Sequence, residues 1–165
     1  MNKDILKTIS KEKLVGLAII IIILIVFAFR AVPIKKEPKS FSNKEYGFEL
    51  TYSYSKKEKK NEISFFGSTG AEILHVVYFP GVNIQSVIDT WKKGSEYRDN
   101  KIVSEGDVKL NTCTSREIAL SSSQGAHSYY FISFGKSTVL FDARGSADDK
   151  TKEDTSEILG SLTCL

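Results

Sequence analysis

Ala71-Glu-Ile-Leu-His-Val-Val-Tyr-Phe79 carries apolar side chains on both faces of an extended chain, and Pro80-Gly81 ends it. A strand apolar on both sides sits inside a sheet, so this stretch predicts paired neighbours and cover on both faces. Upstream, Glu62-Ile-Ser-Phe-Phe66 and the Gly67-Ser-Thr-Gly70 turn complete a hairpin with it. Downstream, Asn83 is placed to cap a helix in which Ile84, Val87, Ile88 and Trp91 form one stripe, with Gly94 closing the end.

Strand character resumes beyond that helix. The pattern predicts strands over 101–105, 108–110, 113–120, 128–134 and 137–143, with turns at Gly106-Asp107, 121–125 and Gly135-Lys136. Consecutive strands joined by short turns form an antiparallel meander. Asp148 or Asp149 then opens a last helix that turns Ile158, Leu159 and Leu162 inward. Before the hairpin, Tyr46-Gly-Phe-Glu-Leu-Thr-Tyr52 alternates Phe48, Leu50 and Tyr52 with Glu49 and Thr51, as a half-buried strand does. The lysine-rich run 56–61 reads as a solvated loop at a hairpin tip, since no aromatic residue interrupts its charges.

The N-terminal part answers to a different solvent. Leu14-Val-Gly-Leu-Ala-Ile-Ile-Ile-Ile-Ile-Leu-Ile-Val-Phe-Ala-Phe29 has no charge in sixteen residues. As a helix the run spans about 24 Å, short of the roughly 30 Å of a bilayer interior, so its flanks must complete it. Lys11 and Lys13 before it, and Arg30, Lys35 and Lys36 after it, are the membrane-flanking cations. The expected organisation is a cytoplasmic tail over 1–13, a transmembrane signal-anchor helix over 14–32, a Pro-containing stalk over 33–44 and one domain over 45–165. Cleavage after Ala28 is the rival reading. The run exceeds a signal-peptide core and continues past that position, so retention as an anchor is favoured. No cysteine follows the run closely enough for a lipoprotein.

Lys3, Lys7, Lys11, Lys13 and Arg30 against Asp4 and Glu12 account for the whole net charge of +3, which leaves the domain neutral. A neutral domain has no long-range field to gather nucleic acid, and no nucleic-acid partner is expected. Basic residues flank the anchor on both sides, so charge alone does not orient it. Both cysteines, Cys113 and Cys164, lie in the domain, and this favours a domain outside the cytoplasm with one disulfide between them. Two buried free thiols are the alternative. Cys113 does not share the alternation of Ile118 and Leu120, so its face is not set by the pattern.

The aromatic opening strand, the hairpin, the single amphipathic helix, the turn-linked meander and the closing Ile158-Leu-Gly-Ser-Leu162 together resemble the PsbP-like superfamily, as a membrane-anchored bacterial member. The resemblance covers most of 41–165 and implies an α+β fold, an antiparallel sheet sandwiched by helices. Family members often follow the opening strand with Pro and a Gly-Trp pair; here Ser53-Tyr-Ser55 runs directly into lysines. The superfamily includes accessory subunits of photosynthetic complexes and anchored envelope proteins, and it brings no shared catalytic motif.

Catalytic signals are sparse. His75 and His127 are the two histidines, and no Cys-x-x-Cys, His-x-x-x-His, Gly-x-Ser-x-Gly or phosphate-loop pattern accompanies them. No cofactor or metal is expected, and Asp148-Asp149 suits a helix start better than calcium. The leading expectation is a non-catalytic, anchored binding or assembly module for an envelope or membrane protein. A small-ligand receptor is the alternative, with Trp91, Tyr129 and Tyr130 lining a pocket between sheet and helix. A hydrolase built on His75 ranks third.

Overall fold

In the computed structural model, residues 37–122, 125–145 and 148–165 are described. The expected anchor and its flanking Lys11, Lys13, Arg30, Lys35 and Lys36 lie outside them. Among the described residues no helix is long and apolar enough to cross a membrane.

The chain runs β1 (Lys39–Asn43), β2 (Phe48–Tyr52), β3 (Ser55–Lys59), β4 (Glu62–Phe66), β5 (Glu72–Phe79), α1 (Ile84–Trp91), α2 (Ser95–Asp99), β6 (Lys101–Leu110), β7 (Cys113–Ser122), β8 (Gly125–Phe134), β9 (Ser137–Ala143), α3 (Asp149–Gly160) and β10 (Thr163–Cys164). Seven strands form one sheet in the order β3-β4-β5-β9-β8-β7-β6, and three form a second in the order β1-β2-β10. Every pairing is antiparallel. The segment 71–79 is interior as its pattern requires, with β4 on one edge and β9 on the other.

Alternation sorts the large sheet's side chains into two cores. On one face Ile118, Leu120, Tyr129, Phe131 and Leu140 receive Val87 and Ile88 of α1, with Trp91 packed at the margin. On the other, Val76, Tyr78, Ile132, Val139 and Phe141 meet Phe48 and Leu50 of β2 and Ile158 of α3, with Leu162 just beyond the helix. The sheet therefore lies between helices, as the family resemblance implies, but the second face is shared by α3 and the three-stranded sheet. The sequence pattern does not predict that sheet. β10 has two residues, too few to register as a period, and β1 falls in the segment read as stalk.

Three boundaries move for identifiable reasons. Strand β1 already starts at Lys39, inside the segment expected as a stalk, and its Phe41 packs against Phe48 and Phe65 at centroid distances of 5.7 and 5.8 Å. The lysine-rich run is a strand over Ser55–Lys59, not a loop. It pairs with β4 at the end of the sheet, where lysines discourage further strand addition. Gly106-Asp107 is not a turn: β6 passes straight through it, and the reversal comes at Asn111, whose φ of 49° an asparagine tolerates. The α1 signal is as predicted, with Asn83 Oδ1 accepting the Ser86 N–H at 3.0 Å. The helix gives way at Lys92, and Gly94 starts α2.

Candidate functional site

Trp91 and Tyr129 meet, with ring centroids 4.5 Å apart, and Trp91 also contacts Tyr97 and Phe131. Tyr130 is not with them. The next residue along a strand faces the other way, so Tyr130 belongs to the core under α3. The expected three-residue pocket is therefore divided by the sheet. On the Trp91 side, Phe79, Val82, Val87, Trp91 and Leu140 line an apolar hollow of about 320 Å³. On the Tyr130 side lies a groove of about 430 Å³, open along one side, between α3 and the ends of β8 and β9.

The two concavities differ in chemistry. The floor of the Tyr130 groove is apolar, from Leu110, Ala126, Ala143 and Leu159. Its walls carry the hydroxyls of Ser128, Tyr130, Thr155 and Ser156, the Asn111 amide, and three cations, Lys109, Arg144 and Lys152. No described lining residue is acidic. Burial pushes the Tyr130 phenol above the ordinary value, with the nearby Ser128 hydroxyl lowering it and the Glu117 carboxylate raising it, so it is a neutral hydrogen-bonding group at physiological pH. Asn111 is fixed by donating its amide N–H to the Leu162 carbonyl at 3.0 Å.

The cations are unequally compensated. Lys152 pairs with Asp149 at 2.9 Å on its own helix. Arg144 lies 3.5 Å from Glu72 and 3.6 Å from Asp142, longer than the 2.7–2.9 Å typical of a tight charge-assisted hydrogen bond. Lys109 has no carboxylate within ion-pair distance among the described residues. These three residues come from β6, the end of β9 and α3, so nothing local in the sequence groups them. Only the fold does.

Two other sequence candidates resolve structurally. His75 lies on the helix α1 side of the sheet, half-buried, with Nε2 3.9 Å from Glu62 Oε2. Among the described residues its ion-pair contact is with the Glu62 carboxylate on the neighbouring strand β4. Asp148 caps α3, accepting from Thr151 N at 2.9 Å and Thr151 Oγ1 at 2.6 Å. These bonds hold its carboxyl below the usual range, and its oxygens are engaged by the helix start. No metal-holding cluster of His, Cys, Asp and Glu occurs among the described residues.

Cys113 and Cys164 form a disulfide, with Cα atoms 5.3 Å apart. The parity left open by the sequence is settled: Cys113 faces away from Ile118 and Leu120, into the core that holds the small sheet. The bond therefore joins β7 of one sheet to β10 of the other.

Comparison with known proteins supports the fold. No family model matches the chain, and no curated protein does. Among solved structures, cyanobacterial PsbP from Synechocystis sp. PCC 6803 is similar over 82% of this chain and 96% of its own, with a TM-score of 0.56 and 10% identity. A Bacteroides thetaiotaomicron protein aligns over 77% of this chain and 48% of its own, with a TM-score of 0.45 and 11% identity. The domain has a PsbP-like α+β fold.

Proposed function

We propose that this chain is a non-catalytic, membrane-anchored binding or assembly module that presents its PsbP-like domain outside the cytoplasm to a protein of the envelope or membrane. The observation that carries the reading is the disulfide Cys113–Cys164, which fits an oxidising compartment, in a chain whose residues 14–29 are continuously apolar. The docking surface is the end of the large sheet. β6 is a ten-residue terminal strand, and it exposes Ile102 and Val103, the latter 62% accessible. Lysines guard the opposite terminal strand, β3, whereas on β6 the register shifts between Ile102 and Ser104, and this irregularity presents the exposed apolar side chains of Ile102 and Val103 as the contact for a partner protein.

The test places a photo-crosslinking residue at Val103, and separately at Lys57 on β3, in the full chain in native membranes. A discrete protein adduct from Val103 and none from Lys57 is the expected result. No protein adduct at Val103 would sink the docking reading. Protease added to right-side-out vesicles should digest the domain, and full protection would place it on the other side.

A second reading, that the domain receives a small ligand, is favoured by the Tyr130 groove. Its volume falls within the roughly 300–1,000 Å³ of small-molecule sites, and it combines an apolar floor with a few polar groups.

A further inference from the structure

We infer that the groove between α3 and β8 takes a small organic anion: a carboxylate borne on a flat or aliphatic apolar body. This rests on the small-ligand reading and adds the chemical class. It is independent of docking at β6, on the terminal strand's other end.

The inference follows from what lines the walls. Lys109, Arg144 and Lys152 are three cations around an opening whose described lining has no carboxylate. The three cations stand exposed at the rim, so a guest seated in the groove meets their combined positive field, which attracts an anion and repels a cation. The pairings around the rim refine the argument. Lys152 is committed to Asp149, and Arg144 is shared loosely between Glu72 and Asp142. Lys109, exposed and without a carboxylate partner among the described residues, is then the principal contact for the guest's charge. Arg144 contributes the second, since at 3.5 and 3.6 Å its existing pairs leave donors for a planar carboxylate.

The remaining lining selects the rest of the guest. Leu110, Ala143 and Leu159 offer apolar surface for a hydrocarbon body, and the neutral Tyr130 and Ser128 hydroxyls orient it. A volume of about 430 Å³ accommodates a two-ring compound. Phosphate or sulfate alone would leave the floor unfilled.

The probes are 2-naphthoate and its neutral isostere 2-naphthamide. Each is titrated by saturation-transfer NMR against the full chain in phosphatidylcholine nanodiscs, with empty nanodiscs subtracted. Lys109→Gln changes an exposed side chain that makes no ion pair among the described residues, and Ser156→Trp obstructs the opening from an exposed position on α3. Unchanged melting temperatures check that both variants fold. The expected result is saturable naphthoate binding, about tenfold tighter than naphthamide, weakened about tenfold by Lys109→Gln and abolished by Ser156→Trp, with Lys57→Gln as an unaffected control. Equal binding of the two probes, insensitive to Lys109→Gln but lost in Ser156→Trp, would overturn the anion assignment and leave a receptor of another ligand class. Absence of saturable binding, or binding that survives Ser156→Trp, would overturn both.

Discussion

Asp154 Oδ2 accepts two hydrogen bonds from Ser68, one from its backbone N–H at 2.7 Å and one from its hydroxyl at 2.6 Å, across 86 residues of chain. The carboxylate sits on α3 and is buried; Ser68 belongs to the turn between β4 and β5. Lys150 adds a cation 3.6 Å away, and the turn admits the carboxylate because Gly67 has no Cβ, which would lie 2.8 Å from Oδ2. This latch ties α3, which forms one wall of the groove, to the turn between β4 and β5.

Removing the latch destabilises the domain. Asp154→Ala leaves the Ser68 amide and hydroxyl without their shared acceptor, and a charged hydrogen bond of this kind contributes about 1.5–3 kcal/mol. Urea denaturation should show a loss of that size, whereas Asp149→Ala, on an exposed side chain, should cost a fraction of it. Equal losses would show that Ser68 finds another acceptor.

Reducing the disulfide costs more. The bond closes a loop of 51 residues, worth about 4 kcal/mol in the chain-entropy account. Denaturation with and without reductant measures it. Hydrogen exchange after reduction should rise first in β10 and the end of α3, and uniform acceleration across the large sheet would contradict that order.

Gly47→Ala should be strongly destabilising, by about 2 kcal/mol or more. Gly47 has φ +75°, and a Cβ there would lie 2.5 Å from the Phe134 ring. Gly70→Ala, at φ +81° with open space around it, carries the conformational part alone. The difference between their melting temperatures isolates the clash, and no difference would refute it.

Glu105 gives the domain a pH dependence. Lys92 Nζ donates to it at 2.7 Å, and Arg116 lies 3.2 Å away, which together hold its carboxyl below the usual value. A depressed folded-state value means that the stabilisation is present above the unfolded carboxylate range near pH 4.3 and fades as pH falls through the folded value. The groups are partly exposed, so the size stays below about 1 kcal/mol. Glu105→Gln should lower stability at pH 7 and converge with the parent at pH 3. A deficit that persists at pH 3 would point to packing instead.

The elements built from long patterns were legible before folding. Strand β5, the α1 stripe and the α3 start announced themselves through period and capping residue, and the disulfide through cysteine count. What stayed hidden depends on distance in the chain. Tyr130 resembles Trp91 and Tyr129 in chemistry, yet adjacent strand residues point to opposite faces, and only the sheet shows which face each one serves. Lys109, Arg144 and Lys152 have nothing in common until α3 docks. Gly106 reads as a turn because its alternative, Asn111, reverses the chain less conspicuously.

The pairing of β2 with β10 has a kinetic consequence. Ser161 Oγ accepts the Thr51 N–H at 2.8 Å across 110 residues, and Leu165 N donates to the Gly47 carbonyl at 2.9 Å. By contrast, β6, β7, β8 and β9 follow one another through short reversals. Loop-closure entropy makes the meander form early and the small sheet late. Oxidation then acts as a ratchet: once Cys164 has reached Cys113, the slowest step of assembly need not be repeated each time the domain opens.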